Sequence, residues 1–193
     1  MDVETGGLYP EKTSLLSMSF AICNIIDDIK KINIIDSLTL NVKPDDSVYH
    51  VNPSALKING INLIEHDKKA IKYSEASSIL LHFIEENNNL EESYELVPVG
   101  YNIMFDLGFI YKYIINKQDL SNYISYHFID LASIVNFLLQ AGYIDVNSIS
   151  LKSIAGYLGI KVNISHNAIA DVETIIRVFE KLLEKITTCE QVI

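Results

Sequence analysis

The sequence predicts an α/β fold in which helices cover a mixed sheet. Two patterns carry that expectation. Early in the chain, two segments alternate apolar and polar residues on either side of a charged connection, as an antiparallel hairpin does. After residue 97, short extended segments and apolar stripes of helical period take turns. Size agrees: 193 residues, 49% hydrophobic and 21% charged, suffice for one domain with its own core, so residues 1–193 are read as a single unit.

In the first strand Leu16, Met18, Phe20 and Ile22 alternate with Ser17, Ser19, Ala21 and Cys23. In the second, Leu38, Leu40 and Val42 alternate with Thr39, Asn41 and Lys43; Asp27, Asp28, Lys30 and Lys31 lie in the long turn between them. Residues 44–73, with Pro53 and Gly60, read as loop holding a short helical piece. A helix over 74–87 buries Ala76, Ile79, Leu80, Phe83 and Ile84, and Asn87, Asn88 and Asn89 end it. Residues 97–101 form a short strand with Pro98 near its start, where the missing donor is tolerated. A helix with Ile103, Leu107, Ile110, Tyr111 and Ile114 follows, then a strand at 127–130 and a helix with Leu131, Ile134, Val135, Leu138 and Leu139. Leu151, Ile154, Ala155 and Leu158 repeat the stripe, and Gly159 sits where a helix stops. The last helix, 168–186, buries Val172, Ile175, Ile176, Phe179, Leu183 and Ile186.

Composition excludes several classes. With 15 Lys+Arg against 25 Asp+Glu the formal charge is −10, and no basic run exceeds Lys30-Lys31 or Lys68-Lys69. A protein that neutralises many phosphates along a duplex is basic on one face, so extended, salt-driven binding is not expected. Contact with one or two terminal nucleotides through metal ions stays open, because the metals then supply the positive charge. Cys23 and Cys189 have no metal-ligand spacing and imply no disulfide framework. The apolar run at 15–26 is interrupted by Ser17, Ser19 and Asn24 and is too short to span a bilayer. Met1-Asp2-Val3-Glu4 carries neither the basic nor the apolar part of a leader, so a cytoplasmic protein without a membrane partner is expected.

Three short sets hold candidate chemistry. Asp2 and Glu4, two apart on a strand, point to one side and can share a cation, and Thr5-Gly6-Gly7 lets backbone approach a ligand; alone, the set also reads as an exposed acidic start. Asn102 and Asp106, four apart, share a helix face beside the apolar stripe, or are an N-cap with a solvated Asp one turn later. His166 and Asp171 would be about 140° apart on one helix, so to meet one substrate His166 must precede the helix that holds Asp171; otherwise it is a solvated loop histidine.

Together, in order, Asp2-x-Glu4-Thr5-Gly6, Gly100-x-Asn102-x-x-x-Asp106 and His166-x-x-x-x-Asp171 resemble the three motifs of the DEDDh 3′→5′ exonuclease family, which includes polymerase proofreading subunits and RNase T. The segment from Ser150-Leu151 to Gly159-Ile160 resembles the helix preceding its third motif, and Ile58-Asn59-Gly60-Ile61 its loop near the substrate, with Asn59 where His is common. The resemblance implies a ribonuclease-H-like mixed sheet of about five strands, with an antiparallel hairpin edge and a parallel centre, helices on both faces, and the Asp2/Glu4 strand between strands 16–22 and 97–101. It implies hydrolysis of a terminal phosphodiester with two Mg²⁺ or Mn²⁺ ions. Asp2 would bridge both ions, Glu4 and Asp171 would complete the tighter site, and Asp106 would hold the second ion, directly or through water. His166 would be the general base, with Thr5, Gly6, Asn59 and Asn102 gripping the terminal nucleotide. The expected product is a nucleoside 5′-monophosphate and the expected substrate a single-stranded DNA 3′ end; an RNA 3′ end, or a non-catalytic interaction domain of the same fold, is the alternative. The resemblance leaves a homodimer or a polymerase partner open.

The residues agree on the cation: four carboxylates and no Cys or His cluster favour a hard ion over zinc. Crowded carboxylates should also raise one another's pKa. Three departures from the family pattern stand out. Tyr101 replaces a usual His, Ser17 replaces a frequent Glu, and only Met1 precedes Asp2 where relatives have several apolar residues. From the last we expect Met1 to be an internal methionine of a longer chain, or this form to be impaired.

Overall fold

The computed structural model describes residues 1–26, 31–88, 95–161 and 168–189, the last three without their side chains. His166, Asn89 and the Asp27, Asp28 and Lys30 connection lie outside the described residues. The strands are β1 (Asp2–Thr5), β2 (Leu15–Ile26), β3 (Lys31–Lys43), β4 (Ile71–Lys72), β5 (Val99–Gly100) and β6 (Ile129–Asp130). The helices are α1 (Pro53–Asn59), α2 (Leu63–Asp67), α3 (Tyr73–Asn87), α4 (Ile103–Tyr113), α5 (Lys117–Leu120), α6 (Leu131–Gln140), α7 (Leu151–Tyr157) and α8 (Ala168–Cys189).

Strands β1-β2-β3-β4 form one ladder, antiparallel except that β4 runs parallel to β3, and β5 and β6 form a parallel pair. The Met1 α-amino group donates to the Val99 carbonyl at 2.9 Å, so β1 lies beside β5 as well as β2. Its placement between those two segments is as expected; where about five strands are expected, six form, in ladders of four and two.

The hairpin is longer than its alternation suggests. A register shift between Ile22 and Cys23 leaves Ile35 of β3 as an extra residue, so the in–out phase of β3 reverses there and the outer part of the hairpin escapes a period-two reading. The irregular 44–73 region holds two short helices and β4, where one helical piece is expected.

Two apolar clusters flank the sheet. Val3, Leu15, Met18 and Val42 pack with Ala76, Leu80 and Phe83 of α3 and Phe109 and Ile110 of α4. Leu131, Val135 and Leu138 of α6 pack with Ile154 and Ala155 of α7 and Ile175, Val178 and Leu182 of α8, with Val99 and Ile129 against them. The α8 stripe is therefore Val172, Ile175, Val178 and Leu182; Ile176, Phe179 and Leu183 are half-buried and Ile186 is exposed. This helix crosses over β1 and β2, and its buried side is set by that crossing.

Beyond Val42, no strand pairs with the outer side of β3 among the described residues. Two of its N–H groups find carboxylates: Ile32 donates to Glu180 Oε1 of α8 at 3.1 Å and Ser37 to Asp36 Oδ1 at 2.7 Å. No helix of the described residues is long and apolar enough to cross a membrane.

Candidate active site

Strand alternation puts Val3 into the apolar cluster and turns Asp2 and Glu4 the other way, toward α8. Their cross-strand partners are small and neutral: Asp2 faces Ser19 and Glu4 faces Ser17. Both serines are buried, and Ser19 Oγ shares a 2.9 Å hydrogen bond with Thr39 Oγ1. Ser17, where a glutamate is frequent in the family, therefore spares the site a further charge opposite Glu4.

Asp171 in the first turn of α8 completes a triad: one carboxylate oxygen from each of Asp2, Glu4 and Asp171 lies within 4.8 Å of the others. The three are half-buried. Asp106 stands alongside on α4, only 3% exposed, accepting the Val3 N–H at 3.0 Å through Oδ1. The reading of Asp106 as a solvated residue of the first helical turn is thereby overturned, since β1 covers it.

Burial first, then the charges of Asp106, Asp171 and Glu4, push the Asp2 carboxyl well above the usual carboxylate range. Burial, then Asp171 and Asp106, push Glu4 up to about 7. Burial also raises Asp106 to about 7, against the opposing pull of the Met1 amino group and the Val3 N–H. That amino group is itself lowered by burial, with Asp106 and Asp2 acting to raise it. All three carboxyls are thus shifted toward the neutral form, as expected of acids that are buried and crowded together.

The residues after Glu4 tell a different story from the acids. A Cβ on Gly6 would lie 2.6 Å from the His50 carbonyl oxygen, and one on Gly7 would lie 2.5 Å from Asn52 Nδ2 and 2.7 Å from Thr13 Cγ2. Gly6 donates to Ser14 O and accepts from Asn52 N, both at 2.7 Å. Gly6 therefore lets the chain pass against the backbone at His50 and Val51, and Gly7 lets it pass against the side chains of Asn52 and Thr13. Thr5 Oγ1 donates to Gly7 O at 2.7 Å. Asn59 is buried: its Nδ2 donates to Thr5 O at 3.1 Å and its Oδ1 accepts from Ile61 N at 3.1 Å, so its amide braces the end of β1. Asn102 is exposed at the N-cap of α4, in the left-handed region (φ 63°, ψ 42°), and its side chain makes no capping bond. Its backbone N–H donates to Asp130 Oδ1 at 2.7 Å. Sequence reasoning did not single out Asp130; the available signal was an Asp ending a strand directly before an apolar helix. Tyr101, in place of a family His, hydrogen-bonds through its hydroxyl to the Ile149 carbonyl.

The structure brings Asp2, Glu4, Asp171 and Asp106 together, places Thr5, Gly6 and Asn59 on the continuation of β1, and sets Asn102 one helical turn before Asp106. An all-carboxylate donor set of this kind suits a divalent cation with oxygen ligands.

Known proteins are similar to this chain. Ribonuclease T of Shewanella sp. (strain ANA-3) is 26% identical over 112 residues, 58% of this chain and 50% of that protein. E. coli Exonuclease I in complex with a dT13 oligonucleotide superposes with a TM-score of 0.69 at 21% identity, over 95% of this chain and 40% of that one. The zinc ion bound form of the E. coli ExoI–ssDNA complex superposes with a TM-score of 0.65 at 20% identity, over 95% and 42%. This chain thus spans half or less of the length of these proteins, and the Exonuclease I likenesses establish a shared fold. The RNase_T family model, described as Exonuclease, matches residues 1–179, a stretch that contains every acid of the cluster. With its acids gathered as the order of its motifs requires, the chain belongs to the DEDDh 3′→5′ exonuclease family.

Proposed function

We propose that this chain is the catalytic domain of a metal-dependent exonuclease that shortens single-stranded DNA from the 3′ end, releasing nucleoside 5′-monophosphates. The observation that carries the reading is the triad of Asp2, Glu4 and Asp171 within 4.8 Å, with Asp106 beside it. Carboxylates that burial and mutual repulsion drive toward neutrality are stabilised as anions only by a cation of high charge. Asp2, on the middle of the cluster, would contact both ions; Glu4 and Asp171 would hold the first and Asp106 the second. When bound, two Mg²⁺ or Mn²⁺ ions lower the pKa of water and stabilise charge on the attacking and leaving oxygens.

The chain's own residues do the rest. His166, five residues before Asp171, is the general base that takes the proton from the attacking water. Thr5 and Gly6 border the terminal nucleotide, Asn102 contacts it with the side chain that no helix cap engages, and Asn59 serves by holding the Thr5 carbonyl. DNA is favoured by the DNA complexes of Exonuclease I on this fold. RNA is the second reading, favoured by the 26% identity to Ribonuclease T.

The deciding experiment digests single-stranded DNA and RNA of one sequence, labelled at the 5′ end, with Mg²⁺, Mn²⁺, Zn²⁺ or EDTA. The expected result is stepwise shortening of the DNA from its 3′ end with Mg²⁺ or Mn²⁺ and none in EDTA. Preferential shortening of RNA selects the second reading. No shortening of either, or activity that survives exhaustive chelation, overturns the mechanism.

A further inference from the structure

Parallel pairing of Gly100 with Asp130 sets the starts of α4 and α6 side by side. Asp130 is the N-cap of α6, yet its shortest backbone contact lies outside its own helix. Oδ1 accepts Ala132 N–H at 3.2 Å and Asn102 N–H at 2.7 Å, while Oδ2 accepts the Ser133 hydroxyl at 2.7 Å. Asn102 has one of only two positive-φ conformations recorded at non-glycine residues among those described, the other being Ser47. Asparagine tolerates this region better than most residues but needs surroundings that hold it there. The turn before it is tight: a Cβ on Gly100 would meet Ile103 Cγ1 at 2.9 Å.

We propose that Asp130 is a positioning residue of the nuclease site, fixing through the Asn102 N–H the left-handed backbone that points the Asn102 side chain at the terminal nucleotide. The inference rests on the reading of Asn102 as a substrate contact. The N–H bond fixes the orientation of the peptide plane between Tyr101 and Asn102, while α4 fixes the chain after Asn102, so the unusual φ between them is held from both sides. The Ser133 hydroxyl holds the far carboxylate oxygen and so orients the near one. One carboxylate therefore ties the start of the helix that carries Asp106 to the start of α6, and leaves the Asn102 amide free for a ligand.

Serine at position 130 still caps α6, but its shorter side chain leaves Asn102 N–H unpaired. Asparagine keeps the accepting oxygen and removes the charge. In steady-state digestion of a single-stranded oligonucleotide, Asp130→Ser should raise KM about tenfold with kcat within about threefold, the signature of lost ground-state positioning. Asp130→Asn should stay within about twofold of the parent. In an Asn102→Gly background, where glycine adopts the left-handed region unaided, Asp130→Ser should change KM less than about twofold. An unchanged KM in Asp130→Ser, an equal loss in Asp130→Asn, or the same tenfold effect in the Asn102→Gly background would each overturn the proposal. A parent that releases no nucleotide would overturn the functional reading, and this inference with it.

Discussion

Asp67 and Asp2 are both aspartates beside the same sheet, and their surroundings push them in opposite directions. Asp67, at the end of α2, accepts from Lys43 Nζ at 3.0 Å and from the Tyr49 hydroxyl at 3.1 Å. Those bonds, Lys43 first, hold its carboxyl below the usual range. Asp2 is surrounded by Asp106, Asp171 and Glu4, and the one opposing contribution comes from the Met1 amino group. One acid is satisfied within the protein; the other is left to be satisfied by something that binds. Acids perturbed in this second sense cluster at functional sites, because a fold selected for stability alone would pair or remove them.

The contrast is sharpest in activity. Asp171→Asn should cut Mn²⁺-dependent release of mononucleotides on the order of 10⁴-fold, a barrier change of about 5 kcal/mol. Asp67→Asn should leave it within about twofold. Comparable losses in both, measured by product release, would erase the distinction between the two acids. His166→Ala should lower turnover roughly 10²–10⁴-fold with little change in Mn²⁺ affinity by calorimetry, since a general base serves the cluster without ligating its ions.

Stability should separate the acids next. In EDTA, Asp171→Asn or Asp106→Asn should raise the melting temperature by roughly 2–5 °C, by relieving repulsion. Asp67→Asn should lower it by about 1 °C, the scale of an exposed pair. With saturating Mn²⁺ the first order should reverse, because the ion stabilises only the protein that holds it. A site mutant less stable than the parent in EDTA would count against a repelling cluster.

A further expected difference is in pH dependence. Glu4 and Asp106 hold their protons up to about 7 in the folded protein, against ordinary values of 4.5 and 3.8. The folded state therefore binds more protons than the unfolded chain between those values, and metal-free stability should fall as pH rises through that window. Asp67, lowered, contributes stability above its ordinary 3.8 that is lost only in stronger acid. A melting profile in EDTA should decline from about pH 4.5 to 7, and Mn²⁺ should flatten the decline. A metal-free profile that rises over that interval would contradict the assignment.

Much of this was legible in the residues, and the rest was hidden for definite reasons. Asp2 and Glu4 follow from strand parity, and the α6 and α7 stripes from helical period. The extra residue Ile35, which breaks the alternation of β3, concealed the outer part of the hairpin. The α8 stripe was misphased because several apolar residues compete for the buried side. For Asp106 the helix pattern alone left a solvated residue as an alternative, because its cover comes from β1, more than 100 residues away, and from a bond to Val3 N–H that no local pattern encodes. Gly6 and Gly7 invited a ligand-approach reading, whereas the nearest atoms belong to His50, Val51, Asn52 and Thr13. Asn59, expected to grip the nucleotide, also braces the end of β1 through the Thr5 carbonyl, a long-range bond that the sequence does not display.

The outer side of β3 carries a consequence of its own. Strands that end a ladder can recruit another chain and seed aggregates, and Ile34 and Ile35 here are 46% and 57% exposed. An incoming strand would need acceptors for its own N–H groups and donors for its carbonyls. At Ile32 and Ser37 the donors it would require are already engaged by Glu180 and Asp36. Any newcomer must first strip two carboxylates from the backbone and pass their negative charge. The helix that brings Asp171 to the cluster thus also guards the margin of the sheet, and loosening it would threaten colloidal behaviour as well as catalysis.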